Sequence, residues 1–131
     1  MTVDRRELAA IFAGGALGAA IRTGLTDLAP THTGRWPWVT FSANVIGCLL
    51  LGYFVTRLQE RLPITAYRRP LLGTGLCGAL TTFSTFQVEL LRMLDRGDLV
   101  LAMVYCAGSI VAGFVGLALG TAIVRRARLT W

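Results

Sequence analysis

Between Thr74 and Phe86 the chain reads Thr-Gly-Leu-Cys-Gly-Ala-Leu-Thr-Thr-Phe-Ser-Thr-Phe, inside a run from Pro70 to Val88 that carries no charge. Gly73, Gly75 and Gly78 each lower helix propensity by about 1 kcal/mol relative to alanine. The hydroxyls of Thr81, Thr82, Ser84 and Thr85 would find no partner in hydrocarbon. Polar or non-helical backbone at membrane depth persists only where protein or water covers it. The stretch therefore reads as a helix broken in mid-membrane and packed against other helices, with carbonyls and hydroxyls available to an ion. Three- and four-residue spacing places Phe83 and Phe86 on one helix face and Thr81, Ser84 and Thr85 on an adjoining one. A wall of aromatic rings beside a ladder of hydroxyls results. The competing reading, hydroxyls bonded back to their own preceding turn, suits an isolated serine or threonine better than this concentration of them.

Other polar groups within apolar runs extend the set. Asn44 is the one strongly polar side chain of its span, and its amide nitrogen offers two hydrogen-bond donors, to a neighbouring helix or to a passing anion. Tyr105, Ser109 and Gly113 form a stripe in the last apolar run. Arg22 falls at four-residue spacing after Gly14 and Gly18, about 21 Å along a helix from Leu8, where a guanidinium either snorkels to the interface or makes the mouth of an anion pathway electropositive. Donors without titratable carboxylates suit a small anion that must exchange its hydration shell, and the positive edges of Phe83 and Phe86 can face such an anion. Asp27 and Glu89 are placed near span ends, so no mid-span carboxylate is expected.

These groups need apolar elements to hold them. The chain has 131 residues, 54% hydrophobic content and a mean hydropathy of +0.61, which predicts a single all-α membrane domain over residues 1–131. The apolar runs are Leu8 to about Ala29, Val39 to Thr56, Pro70 to Val88 and Leu99 to Val124. A crossing needs roughly 20 predominantly apolar residues, so four transmembrane helices are expected, the third of them broken. Arg5 and Arg6 ahead of the first run resemble the basic start of a signal peptide, but the glycine face of that run reads as a retained packing surface. Gly108, Ala112, Gly116 and Gly120 give the last run a second small-residue face, of the kind that lets helices approach closely in lipid.

The net charge of +6 comes from arginine alone, and the arginines flank the runs rather than forming a nucleic-acid patch. Arg5, Arg6, Arg57, Arg61, Arg68, Arg69, Arg125, Arg126 and Arg128 fall on one side, against Arg35, Arg92 and Arg96 on the other. The positive-inside rule places both termini in the cytoplasm of a multi-pass cell-membrane protein. Trp36 and Trp38 read as interfacial anchors, His32 as a solvated loop residue, and the residues around Pro63 and from Glu89 to Asp98 as solvated connections. Cys48, Cys77 and Cys106 lack disulfide or zinc spacing. No Ser/His/Asp set, metal cluster or phosphate loop is present, and catalysis is not expected.

Gly14-Gly-Ala-Leu-Gly-Ala-Ala-Ile-Arg22, Asn44-Val-Ile-Gly47 and above all Gly75-Leu-Cys-Gly-Ala-Leu-Thr-Thr-Phe-Ser-Thr-Phe86 resemble the signatures of the Fluc (CrcB) family of fluoride channels, over essentially the whole chain. The resemblance implies passive export of fluoride down its gradient through two pores of an antiparallel dimer, relieving fluoride toxicity. It implies an aromatic box of Phe83 and Phe86, an ion track lined by Asn44, Ser84 and Thr85 with Tyr105 and Ser109 contributing, and a structural sodium ion held by the Gly78 and Thr81 carbonyls. Gly113 stands where family members can carry a further hydroxyl. The arginine bias points to pairing with an oppositely biased paralogue rather than with a second copy. A small multidrug-type exporter, which needs an intramembrane carboxylate, and a non-transporting assembly partner are the alternatives.

Overall fold

A computed structural model of the chain describes residues 4–28, 34–60 and 67–127. His32, Pro63, Arg61 and Arg128 lie outside the described residues. The described elements are all helical: α1 (Arg5–Leu28), α2 (Trp38–Glu60), a π-helical segment (Pro70–Cys77) running into a short α3 (Gly78–Leu80), α4 (Phe83–Asp95) and α5 (Leu99–Arg126). Three are long and apolar enough to cross a membrane: Arg5–Leu28, Trp38–Gln59 and Leu99–Arg126. Between Pro70 and Asp95 the chain is divided into pieces, each shorter than a crossing.

Small residues decide which helices meet. α1 lies along the π-helical segment because Gly14 and Gly18 face it with no side chain. A Cβ at Gly14 would strike the Leu71 carbonyl and one at Gly18 the Leu76 carbonyl. α2 and α5 pack together along most of their length by the same means, Gly120 resting on the Leu49 carbonyl and Gly52 on the Leu117 carbonyl. Where lipid is as apolar as leucine, such backbone approach gives van der Waals contact that bulky faces cannot reach. Gly120→Val is therefore expected to lower the thermal unfolding midpoint in detergent by the equivalent of about 1–3 kcal/mol or more. Gly15→Ala, beside which nothing lies within 4 Å, should leave it unchanged or raise it.

α4 runs on past Val88 to Asp95, so the expected solvated connection shrinks to a tight turn. Gly97 at φ 80° closes it, with its N–H donating to the Leu94 carbonyl and the Asp98 N–H to that of Met93, at 2.9 Å each. This is the Schellman pattern, in which a left-handed residue favours glycine. The largest buried cluster, Phe86, Met93, Ala102 and Tyr105, lies where α4 folds back on α5, with Trp36 and Phe41 packed on it.

Candidate functional site

The centre of the site is the gap between α3 and α4, where Thr81 and Thr82 take extended backbone at φ −74°, ψ 146° and φ −141°, ψ 117°. In an unbroken helix the Thr82 N–H would reach the Gly78 carbonyl. Here it donates to Asn44 Oδ1 at 2.8 Å, while Asn44 Nδ2 donates to the Thr82 carbonyl at 3.2 Å. An N–H only donates and a carbonyl only accepts, so the orientation of the Asn44 amide is fixed and its second N–H remains for another acceptor. Thr82 then caps α4, accepting the Thr85 N–H on its hydroxyl at 3.2 Å. That bond takes the donor that would have gone to the Thr81 carbonyl. The break deprives the carbonyls of Gly78, Ala79, Leu80 and Thr81 of their helical donors; Arg22 meets the one at Ala79, and those of Gly78 and Thr81 are oxygens of a kind that fits a hard cation.

Asn44, Thr81, Thr82, Phe83, Phe86 and Ser109 line a groove of about 450 Å³, continued between α2 and α5 by Cys48, Gly113, Phe114 and Leu117. Phe83 is 71% exposed and Phe86 only 8%, with ring centroids 6.1 Å apart and planes at 30°. One ring thus belongs to the core and the other to the open side of the groove. Phe86 in turn meets Tyr105 at 5.2 Å. Ser109 Oγ is buried without a hydrogen-bond partner. α2 reaches the break because Gly47 has no side chain, a Cβ there colliding with the Thr81 methyl.

Several expected placements change. Thr81 precedes the break and its hydroxyl donates to the Cys77 carbonyl at 2.9 Å, so it shares no helix face with Ser84 and Thr85. The hydroxyls of Ser84 and Thr85 gather on Thr82 Oγ1 at 3.3 and 3.0 Å. They form a capping cluster beside the groove rather than a ladder along it. The Arg22 guanidinium does not line the groove either. Its Nε donates to the Ala79 carbonyl at 3.1 Å, tying α1 to the last turn before the break. Trp38 is 65% exposed, as an interfacial anchor would be, but Trp36 packs inward, edge-on to Tyr105 at 5.2 Å and 85°.

The residue that sequence reasoning missed is Glu89. Far from solvated, it is 7% exposed and accepts hydrogen bonds from Thr40 Oγ1 and Tyr105 Oη, both at 2.7 Å. A buried carboxylate persists where such donors satisfy it. The signal was present in the phase of the helix, since Glu89 stands three residues after Phe86 and four before Met93, on the same inward face. Tyr105 is thereby fully occupied as a donor, and its ring rather than its hydroxyl meets Phe86.

The arrangement joins a groove with unspent donors to a backbone break held by an amide. Residues 9–121 match the family model described as CrcB-like protein, Camphor Resistance (CrcB). The chain belongs to the CrcB family. Within reach of this CrcB chain are proteins named Fluoride-specific ion channel FluC 1 from Mycobacterium bovis and Mycobacterium tuberculosis, each 58% identical over 126 residues, 96% of this chain and 96% of the relative. One named Fluoride-specific ion channel FluC from Phocaeicola vulgatus is 41% identical over 116 residues, 88% of this chain and 95% of the relative.

Proposed function

We propose that this chain is a subunit of a fluoride-specific channel of the cell membrane, passing fluoride down its gradient and so relieving cytoplasmic fluoride toxicity. The observation that carries the proposal is the 58% identity over 96% of the chain to proteins named as fluoride-specific ion channels. The groove supplies the chemistry. A desolvating fluoride is offered the free N–H of Asn44, the unpartnered Ser109 hydroxyl and the positive edges of Phe83 and Phe86, while apolar walls exclude bulk water. Thr82, Ser84 and Thr85 hold the mouth of α4 in place. Glu89, Thr40 and Tyr105 fix the angle between α2, α4 and α5, and Arg22 fixes α1 against α3.

Under this reading the pieces from Pro70 to Asp95 make a fourth crossing, interrupted at Thr81 and Thr82, in one channel domain. The apolar side chains left exposed on α4 and α5, among them Phe83, Leu91, Val111 and Phe114, suit a second subunit inserted in the opposite sense, completing the groove from the other side. The freed Gly78 and Thr81 carbonyls would hold a structural sodium ion, whose charge would offset the carbonyl dipoles where two breaks meet. The arginine bias favours cytoplasmic termini and a paralogous partner. Insertion reporters on both termini check this, since a roughly even mixture of orientations would favour a homodimer instead.

Glu89 is the kind of buried carboxylate that a proton-coupled exporter requires, and it removes one sequence argument against that alternative. Both its oxygens are engaged by hydroxyls, however, and membership of the CrcB family weighs for a channel. Fluoride efflux from liposomes, followed with an ion-selective electrode, separates the two. Rapid fluoride release without a proton gradient, with chloride retained, is expected. Phe83→Ile keeps apolar bulk but removes the ring edge, and is expected to slow release by roughly tenfold or more. Flux that demands a proton gradient, or that ignores this substitution, would overturn the channel reading.

A further inference from the structure

Past Asn44 and Ser109 the groove runs on between α2 and α5, where Cys48 and Gly113 line it. The two helices run parallel, since Gly116 lies on the Val45 carbonyl and Gly120, four residues later, on the Leu49 carbonyl, also four later. Cys48 follows Asn44, and Gly113 follows Ser109, by about one turn, roughly 6 Å along each helix. The two pairs therefore stand as successive rungs of one groove. At the second rung the Cys48 Sγ is 3.5 Å from where a Cβ on Gly113 would be, so the thiol faces the place that α5 leaves empty. Leu51 and Leu117 come next in the lining, and they offer nothing polar.

A small anion shedding its water along this groove meets two unspent donors at the first rung. One is the second N–H of Asn44, and the other is Ser109 Oγ, a buried atom with no hydrogen-bond partner. At the second rung α5 has no side chain to give. Across from it Cys48 is partly buried and free of any disulfide, and a thiol is a weak hydrogen-bond donor. Weakness is useful at that level, because an ion path needs sites that admit the ion yet let it leave. Of the other two cysteines, Cys77 is buried at 1% exposure and Cys106 packs against the Phe86 cluster, so position 48 is the one that meets the groove.

We propose that the Cys48 thiol is a binding residue for the permeating anion, donating its S–H across the gap at Gly113 as the ion passes on from Asn44 and Ser109. The inference rests on the channel reading and adds to it a donor on α2. It also accounts for the step at Gly113: the polar lining does not end where the α5 hydroxyls end, but changes helix.

The test joins efflux from liposomes to protection of the thiol. Cys48→Ala is expected to slow fluoride release by about three- to tenfold, and Cys48→Ser, which keeps a donor, to slow it less. Adding Gly113→Ser to Cys48→Ala puts a hydroxyl on the facing helix and is expected to restore most of the rate, a rescue that a purely structural role for Cys48 would not give. The unaltered full chain supplies a readout that survives any failure of the variants to assemble. Methyl methanethiosulfonate, a small neutral reagent, transfers its methylthio group to a thiol as methanesulfinate leaves, and peptide mass spectrometry follows the mass gained at Cys48. Sodium fluoride is expected to slow that reaction saturably while sodium chloride does not. A Cys48 that the reagent cannot reach, or that reacts equally fast with and without fluoride, would overturn the proposal, as would a Cys48→Ala channel that releases fluoride at the unaltered rate. Fluoride release by the unaltered protein leaves the channel reading standing in each of those cases, whereas absence of that release defeats the channel reading itself.

Discussion

Asn44→Asp is expected to abolish fluoride efflux while leaving the subunits assembled. Aspartate retains the acceptor for the Thr82 N–H, now 2.8 Å from Oδ1, so the cap on α4 survives. It has no N–H for the Thr82 carbonyl at 3.2 Å, and none for an anion in the groove. It also introduces a negative charge on the path of one. Two like charges about 4 Å apart repel by about 4 kcal/mol at an effective dielectric constant near 20, which corresponds to about three orders of magnitude in rate. The electrode assay on liposomes, with size-exclusion chromatography to verify assembly, measures both halves of the expectation. Efflux within tenfold of the unaltered protein would remove Asn44 from the pathway and leave it the clamp of the break alone. Asn44→Leu, which strips both bonds from Thr82, is expected to fail on assembly as well as on flux, and the contrast between the two variants separates the charge from the clamp.

The second large effect falls on stability. Glu89→Ala leaves the hydroxyls of Thr40 and Tyr105 without an acceptor at positions 5% and 0% exposed. Each orphaned hydroxyl is expected to cost about 1–3 kcal/mol, and the vacated volume beside Phe86 adds to it. Removal of one partner from a buried charged network typically costs about 3–5 kcal/mol, and a fall of that order in unfolding free energy in detergent is expected. Glu89→Gln keeps the shape and one acceptor, and its loss should be smaller. The informative companion is Glu89→Leu combined with Thr40→Val and Tyr105→Phe, which deletes every polar member together. Recovery of most of the lost stability would mark the cluster as a set of mutually dependent hydrogen bonds. No recovery would mean that the carboxylate acts through something other than Thr40 and Tyr105.

Both predictions concern residues whose roles were only partly readable. Asn44 is visible in the sequence as an isolated amide in an apolar run, and that isolation is what marks it. Its bond to Thr82 is not visible, because the two are 38 residues apart and nothing local ties their registers. Glu89 has neighbouring charges at Arg92 and Asp95, which made it look like part of a solvated turn. Helical phase puts it with Phe86 and Met93 instead, and phase is a weak signal when one turn of helix separates core from surface. Thr81, Ser84 and Thr85 seemed to share a face only because a continuous helix was carried through a point where the backbone is extended.

By itself the sequence determined the apolar runs, the glycine faces that let α1 and α5 approach their neighbours, the absence of catalytic machinery and the motif that places the chain in the CrcB family. Those are properties of composition and local spacing, and hydrocarbon favours long apolar helices because these satisfy nearly all their backbone groups internally. The tertiary structure alone decided which polar groups meet: Asn44 with Thr82, Glu89 with Thr40 and Tyr105, Arg22 with Ala79. Helices as apolar as α2 and α5 are apolar all round, so no polar stripe separates a lipid side from a protein side, and the glycine face of α5 does not say which helix it meets. Only the packing of small residues against backbone, and the need of each buried donor for an acceptor, fixes that choice.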